Sequence, residues 1–218
     1  MTPRAVPVVL VATSGTGKTT LARRLVDGPG HYVFSISATT RPPRPREQDG
    51  VDYHFLSRKA FEDRVERGWF AEWASVHDRM YGTPRSELAA AAERGDHVVL
   101  DIDIQGARQI REAVPDATLI FVLPPSVDIM MSRLTGRGTE ERENIARRLK
   151  SALDELQAVP EFDYVVVNDD LDECLSEIRG IVERGEAPAL PEQDAEGMRR
   201  TIVELLEGEY SAYLQDSE

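Results

Sequence analysis

Apolar and polar positions alternate along this chain in blocks that predict strands and helices in turn. Val8-Val9-Leu10-Val11 is a continuous apolar run, the pattern of a strand buried on both faces. Small and polar residues follow, and then Leu21-Ala22-Arg23-Arg24-Leu25, an amphipathic helix that Gly28-Pro29-Gly30 ends. Residues 31–37 alternate as a second strand, and Tyr53-His54-Phe55-Leu56 as a short third one. Residues 57–68 are spaced as a helix, with Ser57 as its N-cap, Phe61 and Val65 four apart on one face, and Gly68 as its end. Residues 69–76 predict another strand, Met80-Tyr81-Gly82-Thr83-Pro84 a turn, and residues 85–94 an alanine-rich helix stopped by Gly95. Apolar runs at 98–100, 118–123 and 164–167 then predict three more buried strands, separated by helices over 107–113, 126–134 and 140–157 and closed by one over 171–184. Strands alternating with helices place the chain in the α/β class, with a parallel sheet flanked by helices. After a linker at Ala187-Pro188-Ala189-Leu190-Pro191, residues 194–214 form an acidic helix with Ile202, Leu205, Leu206 and Tyr210 on roughly one face.

Composition narrows what such a fold can do. The 218 residues suffice for one substantial core with insertions. A net charge of −13 argues against general nucleic-acid binding, because a phosphate backbone would be repelled. Any phosphate site must be made by local clustering of arginine and lysine. Cys174 is the single cysteine, so no intrachain disulfide and no cysteine-based zinc site can form, which suits a reducing cytoplasm. The apolar N-terminus reaches the polar loop after about ten residues, too short a run for a spanning helix, and no membrane association is expected.

The candidate chemistry begins in the loop after the first strand. Ala12-Thr13-Ser14-Gly15-Thr16-Gly17-Lys18-Thr19-Thr20 has the spacing of a Walker A phosphate loop with alanine in place of its first glycine. Gly15 and Gly17 allow backbone N–H groups to turn onto phosphate oxygens, and the following helix N-terminus adds positive charge. Lys18 would reach the β- and γ-phosphates, and the Thr19 hydroxyl would hold Mg2+. Alanine at position 12 is harmless if the backbone there has negative φ. Arg41, Arg44 and Arg46 are held apart by prolines that rule out a helix, and Tyr53 follows, which favours a second anion site over a solvated basic loop. Asp101 and Asp103 end a buried strand in the Walker B manner, a carboxylate facing the metal; a helix N-cap would account for at most one of them. Glycines on both sides of Arg137 suit a hinged lid.

These motifs together resemble the guanylate kinase family from about Val6 to about Arg184. The resemblance rests on the loop 14–19, on Thr39-Thr40-Arg41-Pro42-Pro43-Arg44 followed by Asp49-Gly50-Val51-Asp52-Tyr53, and on Tyr81-Gly82-Thr83. It rests also on Asp101-Ile102-Asp103-Ile104-Gln105-Gly106, Gly136-Arg137-Gly138-Thr139 and Val167-Asn168-Asp169-Asp170. It implies a P-loop kinase core over 1–36, 96–132 and 150–186, an inserted mixed α+β GMP-binding domain over 37–95, a helical lid over 133–149, and an acidic helical extension over 187–218 with no family counterpart. The implied reaction is ATP + GMP to ADP + GDP, with Mg2+ and ATP as cofactors and the protein a monomer or homodimer. Carried over residue by residue, Thr13, Ser14, Gly15, Thr16, Gly17, Lys18, Thr19, Thr20 and Asn168 would bind ATP. Ser37, Arg41, Arg44, Tyr53 and Tyr81 would hold the GMP phosphate, and Glu72, Thr83 and Asp103, with Gly82 beside them, would read guanine. Lys18, Arg41, Arg137 and Arg148 would carry catalysis, and Thr19 with Asp101 the metal, partly through water.

Departures from the family pattern are Ala12-Thr13 for Gly-Pro, Thr19 for serine, Arg46 where glycine is frequent, and Asp78-Arg79 for Gly-Asn. Two other readings compete. A guanylate-kinase-like module that binds phosphopeptides without catalysis would show an eroded phosphate loop, whereas Gly17, Lys18 and Thr19 are intact. A kinase with another acceptor, a modified nucleotide or a phosphosugar, is argued against by Arg41, Arg44, Tyr53, Glu72 and Tyr81 together, and the Asp78-Arg79 departure is what keeps it open.

Overall fold

A computed structural model describes residues 5–76, 78–135 and 142–215. The elements, in chain order, are β1 (Val8–Ala12), α1 (Lys18–Asp27), β2 (Tyr32–Phe34), β3 (Ala38–Thr39), β4 (His54–Phe55), α2 (Arg58–Glu66), β5 (Phe70–Val76), β6 (Arg79–Pro84) and α3 (Arg85–Arg94). Then come β7 (His97–Asp101), α4 (Ile104–Ala113), β8 (Thr118–Leu123), α5 (Val127–Thr135), α6 (Arg142–Gln157), β9 (Tyr164–Val167), α7 (Leu171–Arg184) and α8 (Glu192–Gln215). A five-stranded sheet has the order β2-β7-β1-β8-β9, with β2 parallel to β7 and β8 parallel to β9. Its order reverses at β1, so the loop leaving the C-terminal end of β1 starts at the switch point where open α/β sheets take their ligands. The continuous apolar runs are explained by burial: all five residues of β1 and the last five of β8 are inside.

A second, four-stranded sheet has the order β4-β3-β6-β5 and is mixed, with β3 parallel to β4 and antiparallel to β6. It has a small core of its own, Ala38, Phe61, Phe70 and Met80, against which Leu56, Val65 and Trp69 pack. Phe61 and Phe70 stack with ring centroids 4.4 Å apart. Full burial of a phenylalanine stabilises by about 1.5–3 kcal/mol, enough for one helix, α2, to be fixed on this sheet largely through Phe61. Ser57 caps α2 by accepting from the Ala60 N–H at 3.2 Å, as its sequence position predicts.

The chain packs as two compact units, Met1–Val9 with Leu25–Thr118, and Leu10–Arg24 with Leu119–Glu218. Residues 80–84 are not the predicted turn. They belong to β6, which pairs with β5 on one side and β3 on the other. The reversal falls earlier, where Asp78 takes φ 61°. Gly82 signals a close approach rather than a turn: a Cβ there would lie 2.9 Å from the Glu72 carbonyl oxygen, from Phe70 and from Trp73. The strand expected over 31–37 is confined to Tyr32–Phe34, and α1 begins at Lys18, three residues before the apolar pattern announces it. Residues 136–141, with the expected glycine hinges and Arg137, lie outside the described residues.

Candidate active site

The phosphate loop spans Thr13 to Gly17, between a buried strand and a helix whose first turn carries no acidic residue, so the positive helix terminus is unopposed locally. Gly15 and Gly17 take φ 88° and 94°, conformations that side chains strain to adopt. Ala12 closes β1 and is not among the described non-glycine residues with positive φ, Arg46 and Asp78, so the missing first glycine costs nothing. The loop is held from behind. Asn168, following β9, donates to the Thr16 carbonyl at 2.7 Å, and Arg133 on α5 donates to the Thr16 and Gly15 carbonyls at 3.0 and 3.3 Å. With the Thr16 carbonyl fixed there, the Gly17 N–H, trans to it across the same peptide, is aimed the opposite way. Thr13 and Thr16, both buried, join hydroxyls at 2.8 Å. Arg148 on α6 donates to the Ser14 hydroxyl at 3.1 Å, and Glu155 accepts from the Ser14 N–H at 3.3 Å. Lys18 opens α1 and Thr19 and Thr20 follow it, exposed in its first turn.

A second cationic site lies on the loop between β3 and β4. Arg41 is held end-on by Glu47, with Nη1 to Oε2 and Nη2 to Oε1 both 2.9 Å, and Nη1 also donates to the Pro42 carbonyl at 2.8 Å. The Arg44 N–H donates to the same carboxylate at 2.6 Å. These bonds use three of the five guanidinium hydrogens. Tyr81 is a further side-chain hydrogen-bond partner of the same guanidinium. Glu47 reaches Arg41 because residues 44–47 form a turn closed by Glu47 N–H to Arg44 carbonyl at 3.0 Å, with Pro45 at its first central position and Arg46 at φ 81° in its second. That is a type II turn, which prefers glycine where Arg46 stands. The Arg41 guanidinium lies over Tyr53, 5.3 Å from its ring, and Tyr53 meets Tyr81 edge-on with centroids at 6.3 Å. The bond to Glu47 pushes the Arg41 pKa up and holds the Glu47 carboxyl below its ordinary range, while burial raises Tyr53.

A buried carboxylate sits on the second sheet. Glu72 is 4% exposed and stands opposite Thr83 in the β5–β6 register, where it accepts the Thr83 hydroxyl at 2.7 Å. Burial pushes its pKa up to about 7, against the lowering effect of Thr83, and the charge of Asp103 adds to the rise. Gly106 faces it: a Cβ there would lie 2.8 Å from the other Glu72 oxygen. Asp103 is the N-cap of α4, accepting the Gly106 N–H at 2.8 Å, so capping does account for one of the two aspartates. Asp101 ends β7, exposed.

The structure thus brings Arg41, Tyr53 and Tyr81 together around one cation, and Glu72, Thr83 and Asp103 around one carboxylate. Arg44 reaches the first group through its backbone N–H and through its charge on Glu47, with its side chain exposed; Ser37 precedes β3, half-buried. Glu47, Glu155 and Arg133 escape a reading of the sequence. For Glu47 the signal is present, since Pro45-Arg46 at the centre of a tight turn folds position 47 back onto 41–44. For Glu155 and Arg133, ordinary surface positions on helices, nothing local marks them.

A profile of the family described as guanylate kinase matches residues 4–185. The guanylate kinase of Neisseria meningitidis serogroup A is 48% identical over 174 residues, covering 80% of this chain and 85% of that protein. That of Nitratidesulfovibrio vulgaris is 48% identical over 172 residues, covering 79% and 83%. Among solved structures, a guanylate kinase from Anaplasma phagocytophilum superposes with a TM-score of 0.67 at 30% identity, over 86% of this chain and 89% of that one.

Proposed function

This chain belongs to the guanylate kinase family and is an ATP:GMP phosphotransferase, and we propose that the two anion sites and the buried carboxylate divide its work as follows. The loop 13–17 with Lys18 holds the phosphates of ATP, and Arg148 neutralises charge at the loop. Asn168 and Arg133 keep the loop open to phosphate by holding its carbonyls. Arg41 receives the GMP phosphate, with Tyr53, Tyr81, Ser37 and Arg44 around it, and Glu47 fixes the guanidinium end-on. The reaction brings two phosphates into contact, and each pair of unit charges about 4 Å apart repels by roughly 4 kcal/mol at an effective dielectric near 20. Clustered cations are therefore required before transfer can begin. No general base is needed, because the acceptor is already an ionised phosphate.

The observation that carries the base assignment is Glu72. Guanine presents N1–H and N2–H donors, which an ionised carboxylate accepts pairwise; adenine has an acceptor at N1 and would leave the buried charge unpaired. Thr83 and Asp103 complete this edge, with Gly82 beside them and Gly106 leaving room at the carboxylate. As to the metal, no group of three or more His, Cys, Asp or Glu side chains able to hold an ion occurs among the described residues. The Thr19 hydroxyl and the Asp101 carboxylate are hard oxygen donors, a sparse set that fits Mg2+, which keeps several waters and takes phosphate oxygens. Bound with ATP, Mg2+ would spread the charge of the β- and γ-phosphates. We assign residues 37–95 to GMP binding and 1–36, 96–132 and 150–186 to the core. A cytoplasmic place in purine metabolism, without nucleic-acid or membrane partners, accords with the charge of −13, the single cysteine and the lack of a membrane-length apolar helix among the described residues.

The test is a coupled assay of ADP formation with GMP, AMP, CMP and UMP offered separately to the wild type and to Glu72→Gln. The wild type should use GMP, and the variant should raise the GMP KM by roughly 10- to 100-fold, the worth of a hydrogen bond to a charged group. Unchanged GMP and AMP use would remove Glu72 from the base site.

A further inference from the structure

The match to the family ends at residue 185, and a 24-residue helix, α8, follows it. An appended helix without a role in the fold would be polar all round. Instead α8 buries Ala195, Ile202 and Leu206, seven and then four residues apart, so that one face is inside along much of its length. It packs chiefly on α6 and also on α5 and β9. Each of these three neighbours carries or leads into a group that holds the phosphate loop. Arg148 and Glu155 on α6 hold Ser14, Arg133 on α5 holds the Gly15 and Thr16 carbonyls, and Asn168 directly after β9 holds Thr16.

The geometry of α6 shows how packing reaches the loop. Positions 148, 151 and 155 share one face, where the Ser151 hydroxyl also donates to Glu155 at 3.4 Å. Ile145, Leu149, Ala152 and Leu156 form a buried stripe beside it. A rotation or slide of α6 would move Arg148 and Glu155 together, because a helix behaves as a rigid element. We infer that α8 is a positioning element for the ATP site, fixing the three elements whose side chains shape the phosphate loop. The inference rests on the reading of residues 13–19 as the ATP phosphate site. It gives the chain beyond residue 185 a role in the reaction itself, through Ile202 and Leu206 acting on Arg148, Glu155, Arg133 and Asn168.

The experiment is steady-state kinetics on the full chain carrying Leu206→Asp, with Leu205→Asp, a neighbour 55% exposed, as its control. Displaced positioning groups cost up to about a hundredfold, and the expected result for Leu206→Asp is a rise of about tenfold in the ATP KM with the GMP KM within about twofold of wild type. Leu205→Asp should match the wild type in both. A merely structural role would lower the folded fraction, reducing apparent turnover while leaving both KM values in place; that result, or a parallel rise in both KM values, overturns the inference. Should Leu206→Asp fail to accumulate, Leu206→Ala and Ile202→Ala, assayed below their own unfolding temperatures, are judged by the same split. The underlying loop reading fails differently: Lys18→Ala would then turn over normally.

Discussion

Glu72 is the residue on which the most chemistry converges, and its pKa of about 7 makes it testable by pH alone. A carboxylate whose folded pKa is raised contributes stability that is present below its unfolded value and lost as pH rises through about 7. The unliganded protein should therefore lose stability from this group as pH rises from 4.5 to about 7. On the proposed assignment of Glu72 to guanine, binding requires the ionised form, so GMP affinity should change the opposite way and strengthen as pH rises through the same window. The acceptor phosphate ionises near pH 6 as well, and the Glu72→Gln profile supplies the subtraction. Calorimetric titration of GMP at pH 6 and 8 should show a steeper gain in the wild type than in the variant; parallel profiles would mean Glu72 is already ionised in the free protein. Glu47 gives a second residue-scale prediction. Glu47→Gln keeps the shape and loses the charge that fixes Arg41 through two charge-assisted bonds. The GMP KM should rise by about tenfold or more with the ATP KM unchanged, and a fall in the GMP KM would show instead that Glu47 competes with the phosphate. Arg41 and Tyr53 stood out in the sequence because arginines held apart by prolines and followed by a tyrosine favour an anion site. Glu72 and Tyr81 were singled out only by the family resemblance, since an acid on that strand could equally lie on a wet face. Glu47 was marked by neither, because one acid in a charged loop looks like solvated surface until the Pro45-Arg46 turn folds it back.

At the scale of elements, most of what could be seen was set by period. Continuous apolar runs marked β1, β8 and β9, and capping chemistry marked the start of α2 at Ser57 and the end of α3 at Gly95. The exception, β6, is informative. Tyr81-Gly82-Thr83-Pro84 carries the punctuation of a turn, yet it is an interior strand bonded on both sides. A sequence shows that a glycine is present and cannot show what approaches it. Because a Cβ at position 82 would meet the Glu72 carbonyl oxygen at 2.9 Å, backbone rather than a pliable side-chain tip, Gly82→Ala should force β5 and β6 apart. Overpacking of this kind costs about 1–3 kcal/mol. It should also carry Tyr81 and Thr83 off their partners, so denaturant unfolding should show lost stability together with a higher GMP KM. A stable variant with intact GMP binding would mean the strands part without strain.

For the whole molecule, the two compact units divide the residues proposed for each substrate. Arg41, Tyr53, Glu72, Tyr81, Thr83 and Asp103 all fall in the unit made of Met1–Val9 and Leu25–Thr118. The phosphate loop, Lys18, Arg133, Arg148, Glu155 and Asn168 all fall in the other, Leu10–Arg24 with Leu119–Glu218. The loop and the four residues that hold or flank it are thus supplied by distant stretches of one unit, which is why Asn168 and Glu155 could not be paired with it from spacing along the chain. The division also predicts separability. Each site places its cations against a net charge of −13, so affinity for nucleotide depends on local groups rather than on the field of the whole. Lys18→Ala removes a cation from the unit that carries the phosphate loop, whereas the residues proposed to hold GMP belong to the other unit. Turnover should fall by at least about a hundredfold, the typical cost of losing one preorganised charge donor. GMP at about 100 times its Kd should still stabilise the variant by about 2.7 kcal/mol, as it should the wild type. Thermal unfolding with and without GMP reads this directly: an unchanged GMP shift in an inactive enzyme is the expected result, and loss of that shift would show that the acceptor site depends on Lys18 after all.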